Sequence, residues 1–483
     1  MRDWGAFSDA HRRPEPTALR IRSGRIDPGE LLSRLRERGF HLGPVPEVSG
    51  YYRVRAGPSS VAQTPEHWLG LFHVQQAVMG LPSLALAPQP GERVLDLCAA
   101  PGGKTAHLAE LMSDQGPLVA LDPKEKRLRA LLGNLYRLAH PNVLVIAGDG
   151  RTLPDTARFD RVLVDAPCSA EGNYRRRNGR IVPRKSSFVA HITALQETLL
   201  RRAIRLTRPG GTIVYSTCTY APEENEGVLH RVLQDAPVRT EPIRLEAPHA
   251  RGITEWKAQR FHPGVTHAWR VYPHHLDSGG LFMARLHRLE DVDEEESEGG
   301  AGWSPVPAAF PGEDPTAALT RIDEALAQLR SRFGMSPEIL DELGWMVRKE
   351  NIWVHTAKRW PVASWNDAAG GGKPDAPKDW RVVALGLRGL RRGPGNWETP
   401  TNHFLARWGH HLSQERRISL RAEELGALLN GSTLPAEGRP PGPVALVWEG
   451  RVIGRGIVGR KGLTHQIAGA YVERLRAILS RNN

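Results

Sequence analysis

Residues 96–105 read Asp-Leu-Cys-Ala-Ala-Pro-Gly-Gly-Lys-Thr, and this stretch decides the fold. It follows a strand-like run at 93–97 and opens a helix-like period at 103–112. Small residues and glycines let the backbone approach a ligand, and open α/β sheets bind ligands at the carboxyl ends of their strands. The stretch therefore predicts a strand-to-helix turn beside a cofactor.

The sequence around this turn alternates between strand-like and helix-like segments. Apolar runs of this length are typical of strands buried on both faces of a parallel sheet. The pattern predicts an α/β protein with a Rossmann-like core. The strand-like runs lie at 93–97, 118–121, 143–146, 161–164 and 212–215, and the helix-like periods at 103–112, 124–139 and 190–206.

Acidic residues end three successive strand-like runs. Asp122 is placed to accept hydrogen bonds from ribose hydroxyls, and Asp149 is placed to meet an adenine amino group. A single acid of this kind would be interpreted as a helix cap. Together with Asp96 there are three, and three acids at successive strand ends favour a ligand-binding site.

Two absent motifs narrow the choice of ligand. A phosphate-binding loop of the form GxxxxGK[ST] needs glycine where Cys98 stands, and the turn contains no dinucleotide GxGxxG. A nucleoside cofactor without a pyrophosphate remains, and S-adenosylmethionine fits.

Two cysteines leave the same predicted edge of the sheet. Cys168 lies in residues 165–172, Asp-Ala-Pro-Cys-Ser-Ala-Glu-Gly, and Cys218 lies in residues 216–219, Ser-Thr-Cys-Thr. A single cysteine after a strand is usually a small buried apolar residue, which is our interpretation of Cys98. Two thiols on one working face indicate covalent catalysis.

Cytosine chemistry explains the use of two thiols. The C5 atom of cytosine becomes nucleophilic only after a thiolate adds to C6, and it can then attack a sulfonium methyl group. A carboxylate near N3 can stabilise the charge that develops on the ring. A base must then remove the C5 proton so that the first thiol can leave.

Composition sets the class of partner. The 483 residues contain 65 Lys and Arg against 53 Asp and Glu, a formal net charge of +12, which favours a nucleic-acid partner. Three cysteines are too few for a disulfide scaffold, and none has a zinc-ligand spacing, so we expect no metal site. The sequence shows neither a signal peptide nor an apolar run long enough to span a membrane, so we expect a cytoplasmic protein.

The chain divides at an acidic segment that runs into Gly and Pro. We expect an N-terminal RNA-binding appendage at 1–65, a methyltransferase core at 66–289 and a linker at 290–315. A helical and basic connecting region at 316–395, helical over 316–349, and a β-rich domain at 396–483 complete the expected order. A second loose stretch lies at 366–379.

These motifs resemble those of the Nop2/Sun RNA (cytosine-5) methyltransferases. The resemblance rests on residues 96–105, 165–172 and 216–225, and extends to 73–76, 270–274 and 280–284. It implies a seven-stranded methyltransferase sheet that binds S-adenosylmethionine. The C-terminal part, from residue 442 to residue 474, resembles the RsmF-type branch, which acts on 16S ribosomal RNA and ends in a PUA-like domain.

The resemblance also implies residue roles. Because Cys218 stands in the Thr-Cys motif of the RNA enzymes, it would be the nucleophile, although DNA cytosine methyltransferases use the Pro-Cys thiol instead. Cys168 would help product release, Asp165 would contact the cytosine, and Lys104 would lie in the catalytic centre. The implied cofactor-binding residues are Ala99, Ala100, Pro101, Gly102, Gly103, Lys104, Asp122, Arg127, Asp149 and Asp165.

The partner expected from these observations is 16S ribosomal RNA or the small ribosomal subunit, bound by a monomer, with no DNA and no membrane. Basic residues at 174–178 are expected to meet phosphates beside the target base, and residues 381–392, with Trp380 and Trp397, could add charge and stacking. A transfer-RNA methyltransferase with the same chemistry is one alternative. A non-catalytic ribosome-assembly factor that kept the fold is another.

Overall fold

The computed structural model describes residues 3–153, 157–175, 185–289, 302–361, 381–393 and 397–480. The N-terminal unit is a small sheet with the strand order β2-β3-β1-β4. Its strand β1 pairs antiparallel with both β3 and β4. The elements of this unit are α1 Trp4–Arg12, β1 Ala18–Ile21, α2 Pro28–Glu37, β2 His41–Pro44, β3 Tyr51–Ala56, α3 Pro65–Trp68 and β4 Phe72–Val74.

The central sheet follows, and the alternation expected from the sequence is present. Strands β5, β6 and β7 are fully buried and mostly apolar, with a helix between each pair, while β8 follows a short 3-10 turn and is buried over Val162, Leu163 and Val164. The elements are α4 Leu81–Leu86, β5 Val94–Asp96, α5 Gly103–Leu111, β6 Leu118–Asp122, α6 Glu125–Leu138, β7 Val143–Ala147, β8 Phe159–Asp165, α7 Ser186–Leu206, β9 Thr207–Thr217, α8 Glu226–Leu233, β10 Val238–Glu241, β11 Ala250–Arg251, β12 Glu255–Trp256, β13 Gln259–Arg260, β14 Trp269–Val271, α9 Pro273–Leu276 and β15 Leu281–Arg288.

The remaining elements form the C-terminal part, which is rich in β-strands. They are β16 Ser304–Pro305, α10 Pro315–Phe333, α11 Pro337–Asp341, β17 Gly344–Arg348, β18 Asn351–His355, β19 Arg359–Trp360, β20 Arg381–Leu385, β21 Leu387–Arg392, β22 Glu398–Pro400, α12 Asn402–Trp408, β23 Arg417–Ser419, α13 Ala422–Leu429, β24 Gly442–Trp448, β25 Arg451–Gly459, β26 Gly462–His465 and α14 Gly469–Leu479.

The central sheet has the order β11-β14-β15-β9-β8-β5-β6-β7-β20, with β10 paired to β15. Strands β5 to β9 are parallel, and β15 is antiparallel to β9. The predicted Rossmann-like core is therefore confirmed. Over the described ranges the sheet has ten strands, more than the seven expected, because β10, β11 and β20 extend it.

Two expectations about the region after residue 315 differ from the structure. Helix α10 ends at Phe333, and the segment from Gly344 to Arg348, expected to be helical, is a strand paired with β18. Its buried Met346 and Val347 pack better in a sheet, where β-branched and apolar residues are favoured. The second difference is the domain boundary expected after residue 395. A second sheet has the order β17-β18-β21-β22, and its paired strands β21 and β22 lie on either side of that boundary.

The structure leaves part of the expected linker, residues 290–301, and the loose stretch at 366–379 outside the described residues. Within the described residues, no helix is both long and apolar enough to cross a bilayer.

Candidate active site

The two predicted thiols lie side by side. Strands β8 and β9 are parallel neighbours in which Asp165 is opposite Ser216, so the loops that follow them leave the sheet together. The Sγ atoms of Cys168 and Cys218 are 3.3 Å apart, within reach of a hydrogen bond. The side-chain amide of Asn173 also lies 3.4 Å from the Cys218 sulfur. Both thiols are free.

The pKa values of the two thiols are shifted in opposite directions. The hydrogen bond from Cys168 lowers the pKa of Cys218 below its ordinary value, although burial acts in the other direction. The same hydrogen bond, together with burial, raises the pKa of Cys168 well above its ordinary value. With Cys168 as the donor of this hydrogen bond, the negative charge of the pair lies on Cys218. A thiolate is the reactive form of cysteine.

Next to the thiols, Lys104 and Asp165 form an ion pair. The Nζ atom of Lys104, in the first turn of α5, lies 2.7 Å from Oδ2 of Asp165. Ser216 donates its hydroxyl proton to the other carboxylate oxygen, over 2.9 Å. Burial lowers the pKa of Lys104 but the ion pair outweighs it, so that pKa is raised. Lys104 is therefore a fixed cation that holds one edge of the Asp165 carboxylate.

The turn at residues 97–103 has the geometry that its small residues predict. Ala99 donates its amide proton to the Leu121 carbonyl at 2.7 Å, and the Ala100–Pro101 peptide bond is cis. Gly102 has φ +99°, a left-handed conformation that favours glycine. A Cβ atom on Gly103 would lie 3.0 Å from the side chain of Gln75. The backbone path thus requires glycine at 102, whereas at 103 a Cβ atom would only crowd the end of the Gln75 side chain.

Asp122 is placed at the carboxyl end of β6, as expected, but its carboxylate already has partners. Arg127 lies 2.9 Å from its Oδ2 atom, and the Lys124 amide donates to its Oδ1 atom at 2.9 Å. Arg127 also donates to the Ala100 carbonyl, so it links the acid to the turn. Binding of a ribose at Asp122 would therefore involve Arg127.

Asp149, the third acid, is also engaged. It begins a short 3-10 turn after β7, and the guanidinium of Arg151 lies 2.6 Å from its Oδ2 atom. The hydrogen bond from Arg151 lowers the pKa of Asp149, so this carboxylate is ionised at neutral pH. Arg151 lies beside the position that the sequence assigns to an adenine.

A single cavity of about 1480 Å³ joins these groups. Its lining contains both thiols and the ion pair, and all of the predicted cofactor residues except Gly102. This volume exceeds the roughly 300–1,000 Å³ of ordinary small-molecule sites, which leaves room for a nucleoside cofactor and a base together. The carboxylates at the strand ends and the small-residue turn fit S-adenosylmethionine. Within the described part of the chain, no cluster of three or more His, Cys, Asp or Glu is arranged to hold a metal ion.

Helix α1 was missed by the sequence analysis. Phe7 packs edge-on against Tyr220 and Tyr272, with ring centroids 5.8 Å apart in each case. His11 lies 5.2 Å from the Tyr174 ring, and it lines the cavity with Ser8 and Arg12. The spacing of Trp4, Phe7 and His11, three and four residues apart, is a helical signal that could have found it.

A second missed feature is the carboxylate of Glu224, which holds the Cys168 loop. It accepts hydrogen bonds from the Ser169 amide and from the Gln196 side chain, each at 3.0 Å. Glu224 is buried. Its role in the 216–225 motif is therefore to support the loop that carries Cys168.

The expectation that residues 174–178 meet phosphates is wrong for Arg175. Its side chain is 1% exposed and lies 2.9 Å from Asp277. It also donates to the carbonyls of Arg13 and Pro14. Arg175 therefore anchors the segment after α1. Residues 176–178 and Trp380 lie outside the described residues.

The strand order, the strand-end turn and the shared cavity define a class: a Rossmann-like methyltransferase. A family model described as "16S rRNA methyltransferase RsmB/F" matches residues 83–287. A tRNA (cytosine(49)-C(5))-methyltransferase of Pyrococcus abyssi is 31% identical over 278 residues, covering 57% of this chain and 89% of that protein. The chain belongs to the family of S-adenosylmethionine-dependent RNA (cytosine-5) methyltransferases that includes RsmB/F and Nop2/Sun proteins.

Two further comparisons agree. A human 28S rRNA (cytosine(4447)-C(5))-methyltransferase is 34% identical over 323 residues, covering 66% of this chain and 38% of that protein. A crystal structure of a methyltransferase homologue from Pyrococcus horikoshii is 33% identical, with a TM-score of 0.54, covering 59% of this chain and 92% of that one. The chain spans less than half the length of the first curated relatives that it matches.

Proposed function

We propose that this protein transfers a methyl group from S-adenosylmethionine to C5 of cytosine in RNA, with 16S ribosomal RNA as the substrate. The observation that carries the proposal is the placement of Cys168, Cys218, Asp165 and Lys104 in one cavity, with the two sulfur atoms 3.3 Å apart. The description of the matching family model supports the choice of 16S RNA.

The reaction begins with Cys218, the nucleophile that the Thr-Cys motif implies, and its lowered pKa favours the thiolate. Its thiolate forms a bond to C6 of the cytosine. Asp165, held by Lys104 and Ser216, faces the N3 edge of the ring and shares a proton there as negative charge develops. The bound cofactor supplies an electrophilic methyl group on sulfur. The electron pair at C5 forms the new carbon–carbon bond, and the methyl–sulfur bond breaks.

Release requires a base, and Cys168 is placed to provide it. While Cys218 is an anion, the hydrogen bond between the thiols keeps the proton on Cys168. Once the Cys218 sulfur is bonded to C6 it carries no charge, so the larger cause of the raised pKa of Cys168 is removed, although burial remains, and the Cys168 proton passes to solvent. The Cys168 thiolate then takes the C5 proton, the C5–H electrons restore the ring double bond, and the bond from sulfur to C6 breaks.

The cofactor residues divide into two groups in this proposal. Ala99, Ala100, Pro101, Gly102 and Gly103 shape the turn, while Asp122, with Arg127, and Asp149 bind the ribose and the adenine. Residues 1–65 and the β-rich part from 396 to 483, a PUA-like domain, bind the RNA around the target. We also propose that the protein acts as a monomer in the cytoplasm, where a reducing environment keeps catalytic thiols free.

The deciding experiment is bisulfite sequencing of ribosomal and transfer RNA from cells with and without the gene. Loss of 5-methylcytosine from 16S RNA alone supports the proposal. Loss from transfer RNA would favour the tRNA substrate, for which the Pyrococcus abyssi relative is the supporting observation. Methylation that is unchanged in both RNAs, together with ribosome-assembly defects, would favour a non-catalytic factor.

A further inference from the structure

A second cavity, of about 480 Å³, lies where the N-terminal unit meets the C-terminal part; we name it the junction cavity. Arg25, which follows β1, lines it from the N-terminal side. Arg407 of α12, Arg417 of β23 and Arg451 of β25 line it from the C-terminal side, with His410 and His411 beside them. Within the described residues its lining contains four arginines and no Asp or Glu.

Two of these arginines have carboxylate partners. Arg451 lies 2.8 Å from Glu30. Arg407 lies 3.1 Å from Asp114. Asp114 is shared, however, since it also pairs with Arg22 at 2.6 Å and with His140 at 2.5 Å. These two carboxylates therefore neutralise only part of the positive charge, and the groups that line the cavity keep a net positive charge.

The other two arginines, Arg25 and Arg417, have no ion pair with any described residue. Arg25 donates from Nη2 to the Ala406 carbonyl at 2.5 Å, but its Nη1 atom is buried without an acceptor. The Nε atom of Arg417 is also buried without an acceptor. A buried donor without a partner is costly, and a charged one more so. An anion in the cavity would pair with the charge of both side chains.

The acidities of the cavity groups reflect this excess of positive charge. Burial, followed by the charges of Arg22 and Arg407, lowers the pKa of Arg25 well below its ordinary value. Burial, the neighbouring His411 and three arginines lower the pKa of His410 to about 4. A bound anion would reverse the electrostatic part of both shifts.

We propose that the junction cavity is a phosphate-binding site, occupied by a backbone phosphate of the substrate RNA. Guanidinium groups bind phosphate oxygens in pairs, which suits the fork-like donors of Arg25 and Arg417. The alternative source of the same chemistry is free phosphate.

The short distance between the two cavities favours RNA over free phosphate as the ligand. Ala18, at the start of β1, lines the catalytic cavity, and Arg25 lines the junction cavity. Seven residues of chain span at most about 25 Å, so the two cavities lie within reach of one RNA molecule. The choice of RNA as ligand rests on the function proposed above, whereas the affinity of the cavity for phosphate does not.

The test compares Arg25→Gln, Arg417→Gln and the double variant with Arg129→Gln, which removes the same charge from an exposed position on α6, outside the parts of the chain proposed to bind RNA. Binding of a fluorescent 16S RNA fragment is measured by anisotropy over a series of salt concentrations. Each cavity variant is expected to bind about tenfold more weakly. The plot of log K against log salt has a negative slope, and its magnitude is expected to decrease by about 1 for each lost phosphate contact. KM for RNA rises while kcat is retained.

Calorimetry with inorganic phosphate supplies the second arm, and thermal unfolding of each variant shows that it is folded. If phosphate binds and is lost in the variants while RNA affinity is unchanged, the RNA assignment is overturned. If neither phosphate nor RNA binding differs from the Arg129→Gln control, the site itself is overturned. If no RNA is methylated but the variants still lose phosphate binding, the proposed function fails and the phosphate site stands.

Discussion

The Sγ atom of Cys168 lies 3.3 Å from that of Cys218, at the ends of two adjacent parallel strands. The separation is well beyond a disulfide bond of about 2.05 Å, so the sulfurs share a proton and no covalent bond. Parallel pairing of β8 and β9 sets Asp165 opposite Ser216, which brings two distant motifs to one position. The arrangement assigns different tasks to two chemically identical side chains.

The first prediction concerns the nucleophile. Cys218→Ala is expected to lower methyl transfer to RNA by about 1000-fold or more, because the bond to C6 cannot form. Binding of S-adenosylmethionine, measured by calorimetry, is retained. The control is Cys98→Ala, which removes a thiol interpreted as a packing residue and keeps its activity. Full methyl transfer by Cys218→Ala would reassign the nucleophile to Cys168.

The second prediction concerns product release. In Cys168→Ala the adduct between Cys218 and cytosine forms, but the C5 proton stays in place, so the RNA remains attached. A band of protein crosslinked to RNA should survive a denaturing gel. The double variant Cys168→Ala, Cys218→Ala gives no such band. Normal turnover by Cys168→Ala without a crosslink would remove Cys168 from the mechanism.

The third prediction is a pH dependence. The hydrogen bond from Cys168 lowers the pKa of Cys218, so removing the donor raises that pKa. Alkylation of Cys218 by iodoacetamide, followed by peptide mapping, becomes faster as the thiol ionises. In Cys168→Ala this increase in rate should therefore occur at a higher pH than in the wild type. Cys168→Ser keeps an O–H donor, and its profile should lie closer to the wild type. Superimposed profiles for all three proteins would show that the thiols are not coupled.

The fourth prediction concerns the ion pair at the cytosine edge. Lys104→Met leaves Asp165 without the cation that holds one edge of its carboxylate. Methyl transfer in a single turnover is expected to fall by about 100-fold. Lys126→Met, which removes an exposed lysine from α6, is the matched control. Equal rates for the two variants would show that Lys104 has no part in the chemistry.

Much of the site could be predicted from the sequence because it depends on a rule of topology. The carboxyl ends of parallel strands meet at one edge of a sheet, so the residues after 96, 165 and 217 had to converge. The identities of Cys168 and Cys218 then indicate the chemistry. Neither step requires knowledge of how the chain packs elsewhere.

The features that the sequence did not reveal are set by distant packing. Strand β20 pairs with β7 although more than 200 residues separate them, and no local pattern signals that contact. Arg175 stands in a basic run typical of an exposed loop, but the carbonyls of Arg13 and Pro14 bury it. The ion pair between Arg127 and Asp122 is local, but the contact of Arg127 with the Ala100 carbonyl, which links it to the turn, is set by the fold.

The last prediction concerns stability and Asp96, at the start of the turn. Burial raises the pKa of this carboxyl from 3.8 to about 7, against the hydrogen bond from Thr105. Because the folded state holds the proton more tightly, the free energy of unfolding falls as pH rises from about 4 to about 7, by about 4 kcal/mol. Asp96→Asn keeps an acceptor for Thr105 and carries no charge. Its stability relative to the wild type should thus increase between about pH 5 and about pH 8 in urea unfolding. A difference that is the same at both pH values would show that Asp96 is ionised throughout, stabilised by a partner such as Lys104.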